Sequence, residues 1–302
     1  MNLKPPPPSI RQIEGLAEIA DRYDAILCDI WGVVHNGVAA FAPASEALVA
    51  FRRHGGAVIL ISNAPRPSAP IHRQLVRLGV PEEAFDAVVT SGDVAAGMIV
   101  ERIDDPLMHI GPARDLSLFD AAAESAGQRP RLVSLPEARY AVCTGLRDDV
   151  SETVEDYAAE LGALARRGLL MICANPDIVI HRGDALIYCA GALATRYEEL
   201  GGEVVYAGKP HRPIYARALA RAEAALGRPL ERGRALAIGD GLRTDIAGAA
   251  AAGLDALFVT GGIHRAELHG EALDRPADPL ALQRLCAQWG LFPAAATGAL
   301  RS

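Results

Sequence analysis

The sequence predicts an α/β protein built on a mainly parallel sheet. Short, almost wholly apolar runs alternate with longer helix-like stretches along nearly all of the 302 residues, the rhythm of strand–helix–strand units. Each run is too apolar to have a wet face, as strands buried on both sides are. Several runs also end in a polar residue, the place where open parallel sheets carry their ligand sites. With 50% hydrophobic residues the chain can bury a substantial core, and its length suits one large domain or two modest ones.

Taken in order, the proline-rich start MNLKPPPPSI cannot be helical. Strands are expected at Ala25–Asp29, Val58–Ser62, Ala87–Thr90, Leu107–Gly111, Tyr140–Thr144, Leu169–Ala174, Val204–Ala207, Ala235–Gly239 and Ala256–Thr260. Between them the pattern predicts helices over Pro43–His54, Pro67–Leu78, Val94–Arg102, Leu116–Ala126, Ser151–Arg167, Pro213–Leu226 and Arg243–Ala252. Ser151 resembles an N-cap, and Gly168 and Gly253 are expected stops. From about His264 to Ser302 the chain mixes short helical segments with Pro and Gly.

The formal net charge of −7 is spread along the chain and gathers into no basic stripe, which argues against nucleic acid as a partner and for a small molecule. No apolar run approaches the roughly 20 residues that span a bilayer, and the N-terminus lacks the apolar core of a signal peptide. No membrane association and a cytoplasmic location are therefore expected. The five cysteines are widely spaced with no CxxC pair, and read as reduced, mostly buried thiols.

Four segments carry the chemistry: AILCDIWGVVHNG, VILISNAP, VVYAGKP and ALAIGDGLRTDIAG. In each a polar residue follows an apolar run directly, so Asp29, Ser62, Lys209 and Asp240 are candidates to meet at the C-terminal edge of a doubly wound sheet. Asp29, Asp240 and Asp245 bring three negative charges and Lys209 one positive; a hard cation such as Mg²⁺, which prefers oxygen ligands, brings two more. The resulting near-neutral site suits a phosphoryl group, whose developing charge the cation and the lysine stabilise. Asp29 is the candidate nucleophile, forming an aspartyl phosphate. Ser62 and the backbone amide of Asn63 are candidate donors to the phosphoryl oxygens, Lys209 the phosphate holder that also keeps Asp29 ionised, and Asp240 and Asp245 metal ligands.

These motifs, DIWGV at Asp29, SNA at Ser62, GKP at Lys209 and GDGLRTD at Asp240, together with ANPD at Asn175, resemble the haloacid dehalogenase superfamily. The likeness is to its branch of sugar-phosphate and nitrophenyl-phosphate phosphatases with a type II cap, and extends over roughly Asp24 to Gly262. The resemblance implies a Rossmann-like doubly wound parallel-sheet core in two pieces, residues 1–104 and 195–302, and an inserted α/β cap, residues 105–194, that closes over the phosphate site. It also implies a small phosphorylated metabolite as substrate, Mg²⁺ as cofactor, and dimers paired through the cap. The ANPD loop either faces the active site or is an Asn-Pro turn ending a cap strand.

The chain departs from the family pattern two residues after Asp29, where the family carries a second Asp whose carbonyl binds the metal and whose side chain is general acid and base. Here that residue is Trp31. The carbonyl remains as a candidate metal ligand, but an indole does not titrate in the useful range. His35 is a candidate substitute acid, since histidine titrates near neutrality; its other reading is an entrance or substrate contact. Trp31 itself is a candidate apolar wall against the substrate. The expected enzyme is a slow phosphatase, and the alternative is a phosphometabolite-binding or regulatory protein that has lost turnover. Arg147 and Arg182 are weaker candidates for substrate contact.

Overall fold

The computed structural model describes residues 9–182, 185–270 and 276–302. Among these the chain forms twelve strands: β1 Ala25–Asp29, β2 Ala57–Ser62, β3 Ala87–Thr90, β4 Leu107–Ile110, β5 Tyr140–Cys143, β6 Leu170–Cys173, β7 Val179–Arg182, β8 Ala185–Tyr188, β9 Val204–Tyr206, β10 Ala235–Gly239, β11 Asp255–Val259 and β12 Ala295–Thr297. The chain divides into two compact units, one running to Ile61 and adding His72–Val88 and Tyr215–Ser302, the other comprising Ser62–Ile71 and Val89–Ile214.

The six-stranded sheet has the order β12-β11-β10-β1-β2-β3. β1 pairs in parallel with β10 on one side and β2 on the other, and β10, β11 and β12 continue in parallel. Strand order thus reverses between β1 and β10, the switch point at which open α/β sheets bind ligands. Every residue of β1 and of β10 is buried, which is why both read in sequence as unbroken apolar runs. The sheet's outer edge is closed by chain that sequence patterning left undefined: β12 pairs with β11, and the N-terminal stretch pairs in turn with β12 through Gln12 and Ala296. Covering an edge in this way blocks strand addition by another chain.

A second, four-stranded parallel sheet has the order β4-β5-β6-β9. Its core packs Ile110, Ala141, Met171 and Cys173 against Tyr157, Leu161, Leu193 and Tyr197. β7 and β8 form a separate antiparallel hairpin. The fold class is α/β, and the sheet of the first unit is Rossmann-like.

Helix starts differ from the sequence pattern where polar side chains outrank periodicity. The helix Ser91–Val100 begins three residues before the expected Val94, because Thr90 Oγ1 accepts from the Asp93 amide and the Asp93 carboxylate accepts from the Thr90 amide, a reciprocal capping box. The helix expected from Ser151 is Ala158–Arg166, preceded by a 3₁₀ turn at Val154–Tyr157. Ser151 instead donates to Asp148, and it is Thr153 that bonds Asp156 through its amide and hydroxyl. A helix at Ala190–Glu199 was not expected, since its first turn, AGAL, offers no polar cap. Gly168 and Gly253 do end helices, both at positive φ (59° and 72°). All five cysteines are buried free thiols.

Candidate active site

β1 delivers Asp29 as its last residue, and β10 delivers Asp240 as the residue after its end. Cys28 is in register with Ile238, so the two carboxylates leave adjacent strands one step apart at the switch point. Asp245 follows on a π-helical turn, Leu242–Ile246. The Ile246 amide closes the turn on the Gly241 carbonyl five residues back, and such single π turns commonly mark functional positions. The amide of Gly241 (3.0 Å) and the hydroxyl of Thr244 (3.2 Å) both donate to Asp245 Oδ2. Tyr215, buried, donates to the carbonyls of Thr244 (3.4 Å) and Asp245 (3.2 Å) and so ties the turn down.

The outcome is a triad of buried acids. Asp29, Asp240 and Asp245 each present a carboxylate oxygen within 4.8 Å of the other two. Three oxygens converging in a buried place are the donor set of a hard divalent cation, which lowers their mutual repulsion and takes oxygen ligands by preference. The residues present therefore fit Mg²⁺ or a similar ion.

Two glycines not picked out by sequence reasoning make room for Asp240. A Cβ on Gly32 or on Gly262 would overlap the Asp240 carboxylate. Gly32 also has φ 81°, where only glycine is unstrained. The next amide, Ile263 N, donates to Asp240 Oδ2 at 2.9 Å. Gly239 plays the same part for Asp245, whose Cγ would meet a Cβ there. The signal in the sequence was the glycine beside each strand end, in DIWG, IGDG and TGGI.

Trp31 is 53% exposed. The end of its indole lies against Gly37, and its ring meets His35 edge-on at 5.4 Å. His35 is buried, its Nδ1 accepts from the Gly37 amide at 2.9 Å, and burial lowers its pKa below the ordinary histidine value. With Nδ1 accepting, the neutral ring carries its proton on Nε2.

The remaining candidates belong to the second unit. Ser62 Oγ accepts from the amide of Ala64 at 3.2 Å. Lys209 is buried, and its backbone is gripped by Asn63: Asn63 Oδ1 accepts from Lys209 N at 2.7 Å, and Nδ2 donates to Lys209 O at 3.2 Å and to the Asp177 carboxylate at 2.9 Å. The side chain of Asn63 thus has a part that its reading as a backbone donor missed. Asn175 is buried and its Oδ1 accepts from the Asp177 amide at 3.1 Å, an Asx turn that shapes the ANPD loop. His211, after the GKP motif, stacks on Tyr206 at 4.4 Å, and burial lowers its pKa. Arg147 is engaged with Glu160 at 2.8 Å and lies over the Tyr157 ring. The side chain of Arg182 lies outside the described residues.

A family model described as haloacid dehalogenase-like hydrolase matches residues 26–123, and a related one matches 206–282. The crystal structure of a haloacid dehalogenase-like hydrolase from Brucella suis 1330 is 46% identical, covers 95% of this chain and 99% of its own, and superposes with a TM-score of 0.80. D-glycerol 3-phosphate phosphatase of Mycobacterium tuberculosis is 28% identical over 86% of this chain and 70% of its own length. A structure of glycerol phosphate phosphatase from M. tuberculosis in complex with magnesium is 25% identical, covers 88% of this chain and 78% of its own, and has a TM-score of 0.64. On its match to the Brucella hydrolase and the two family models, the chain belongs to the haloacid dehalogenase-like hydrolases.

Proposed function

We propose that the protein is a Mg²⁺-dependent phosphatase that hydrolyses a small phosphorylated metabolite through an aspartyl phosphate on Asp29. The observation that carries the reading is the buried convergence of Asp29, Asp240 and Asp245 at the switch point of the sheet. A bound cation would be held by these three carboxylates with the Trp31 carbonyl, and would supply positive charge against the phosphoryl oxygens. Asp29, at the end of a rigid buried strand, is the attacking group. Ser62 and the Asn63 amide hydrogen-bond the phosphoryl oxygens, and Lys209 holds the phosphate by charge. Relatives named for glycerol phosphate support a small phosphomonoester as substrate.

The chain has no carboxylate at position 31, so leaving groups must depart with little proton help. General acid–base catalysis contributes about 10² to 10⁴ in rate, and the reading is of a slow enzyme that favours aryl or acyl phosphates, whose departing oxygen scarcely needs a proton. His35 is the residue assigned as substitute acid or substrate contact, and Asn175 lies in the loop assigned to the substrate side. Residues 105–194 are assigned to the cap, with 1–104 and 195–302 as the core. The assignment includes a homodimer, to be read by light scattering, and a cytoplasmic location; among the described residues no helix is long and apolar enough to cross a membrane.

Trp31 also favours a second reading, a phosphometabolite-binding or regulatory protein without turnover. Hydrolysis of 4-nitrophenyl phosphate separates the two. Mg²⁺-dependent turnover that disappears in Asp29→Asn supports the phosphatase, whereas phosphate binding with no turnover supports the binder.

A further inference from the structure

The side chain of Asn63 has no part in the proposed chemistry, yet it joins the ANPD loop to the backbone of Lys209. The Asn63 amide pairs with both backbone polar groups of that residue, accepting from its N–H (2.7 Å) and donating to its C=O (3.2 Å). The second Nδ2 hydrogen goes to the Asp177 carboxylate at 2.9 Å. Turning the amide over would set NH₂ against the Lys209 N–H and oxygen against two acceptors, so its orientation is over-determined. Asp177 is in turn fixed. Its amide donates to Asn175 Oδ1 and its carbonyl accepts from Gly191 N at 3.1 Å.

The close approach needs glycines on both sides of the loop. A Cβ on Gly208 would stand 2.5 Å from Asn63 Oδ1 and 2.7 Å from Pro176 Cδ, and one on Gly191 would overlap the Pro176 carbonyl. The two bonds from Asn63 to the Lys209 backbone are buried, where an unmet partner costs its full desolvation penalty, and the bond to Asp177 is partly buried.

We propose that the Asn63 side chain is a positioning residue for Lys209, oriented by Asp177, so that the serine motif and the ANPD loop together set where the lysine ammonium stands. This rests on the reading that Lys209 holds the phosphate. A carboxamide in this role acts like a one-residue strand, holding the main chain from which the long lysine side chain projects. Because a group displaced by about 1 Å can lose about 10² in rate, a loosened Lys209 backbone weakens phosphate binding and turnover without touching any reacting atom.

The chemistry of the latch dictates its test. Asn63→Asp leaves an acceptor for Lys209 N–H but opposes the Asp177 carboxylate and the Lys209 carbonyl with a second negative charge. Asp177→Asn alone keeps an acceptor for Nδ2 and should lose only a few-fold. The double variant Asn63→Asp/Asp177→Asn restores a donor–acceptor pair between the two side chains. With 4-nitrophenyl phosphate and saturating Mg²⁺, we expect kcat/KM to fall about 10²-fold in Asn63→Asp and to recover at least tenfold in the double variant. The inhibition constant of inorganic phosphate should rise and recover in parallel, while the Mg²⁺ concentration for half-maximal rate stays within twofold. Asn63→Ala serves as the companion variant if Asn63→Asp does not fold; it should show the same weakened phosphate inhibition at an unchanged Mg²⁺ requirement.

Kinetics of Asn63→Ala within twofold of the parent would overturn the proposal, as would a double variant no better than Asn63→Asp. If Lys209→Met is itself active, the phosphate reading fails and takes this inference with it. An inactive Lys209→Met beside unaffected Asn63 variants removes this inference alone.

Discussion

Around Asp240 the chain leaves room with glycines, whereas around Lys209 it supplies a side chain to hold the backbone. Gly32 and Gly262 leave space that any Cβ would fill against the Asp240 carboxylate, and backbone amides at Gly241 and Ile263 hold Asp245 and Asp240. Lys209 is instead held by the carboxamide of Asn63, which Asp177 orients. The difference follows from what each must present. Carboxylates that are to share one ion need their oxygens close, so the chain braces them with backbone amides, the Thr244 hydroxyl and the space that glycines leave. A lysine needs a fixed root for a long flexible stem, and two hydrogen bonds to its main chain provide that root. The first region should therefore be sensitive to volume and the second to hydrogen-bond polarity.

The largest effect is expected from removing the charge on which the acid triad turns. Asp29→Asn keeps the volume and the buried strand end, so the fold should survive, yet turnover of 4-nitrophenyl phosphate should fall on the order of 10⁴-fold or more, as for other enzymes that lose their nucleophile. Retained turnover in a purified Asn variant would mean that another group attacks.

A smaller change is expected at Trp31, where the acid region differs from its family. Trp31→Asp restores a carboxylate that can donate and accept the proton, and the exposed indole leaves without opening a core. Alkyl phosphates should gain about 10²-fold in kcat, and aryl phosphates less than tenfold, because only the former need protonation of the leaving oxygen. Equal gains for both classes would refute the leaving-group argument.

The contrast between volume and polarity is tested most directly at Gly262, which unlike Gly32 has no positive φ to confuse the result. Gly262→Ala pushes a methyl group at Asp240, and Mg²⁺ affinity should drop about 10- to 100-fold, the usual loss when groups supporting a metal ligand are disturbed. The concentration of Mg²⁺ that raises the melting temperature reports this without any need for activity. An unchanged Mg²⁺ response would show that the carboxylate moves aside at no cost.

How much of this could be read from the sequence follows from the same contrast. The nine strands expected are those of the two parallel sheets other than β12, most of them buried on both faces, which leaves an apolar run that needs no partner to be noticed. The antiparallel β7–β8 hairpin escaped because it is partly exposed, and β12, buried but short, because it lies where brief segments mix with Pro and Gly. The acids were legible since Asp29 and Asp240 stand at the ends of β1 and β10, neighbours in one parallel sheet; Lys209 follows β9, a strand of the four-stranded sheet, so the expectation that it shares that sheet edge does not hold. What supports these residues was not legible. The need for Gly262 is visible only once Asp240 lies beside it, and the Asn63–Asp177 bond joins residues 114 positions apart. Asp24, one residue before the same strand β1, shows the opposite case: an acid whose neutralising partners are the chain's own arginines.

That acid gives the smallest expected effect and a control for the others. Arg234 donates twice to the Asp24 carboxylate at 2.7 Å, and Arg228 approaches it at 3.0 Å. The hydrogen bonds from Arg234 are the main reason its pKa is lowered to about 2 from an ordinary 3.8. A carboxyl whose folded pKa is depressed adds stability that is complete above the unfolded value and disappears as pH falls through the folded one. Asp24→Asn should therefore cost about 1 kcal/mol at pH 7, the upper range for an ion pair near the surface. In urea melts the gap between parent and variant should hold from pH 7 to about 4 and narrow below that. Since the pair is complete without a metal, Mg²⁺ should leave the gap unchanged, in contrast to its altered effect on Gly262→Ala. A gap that persists at pH 3 undiminished would assign the loss to packing, and one that closes on adding Mg²⁺ would tie Asp24 to the acid triad at the other end of β1.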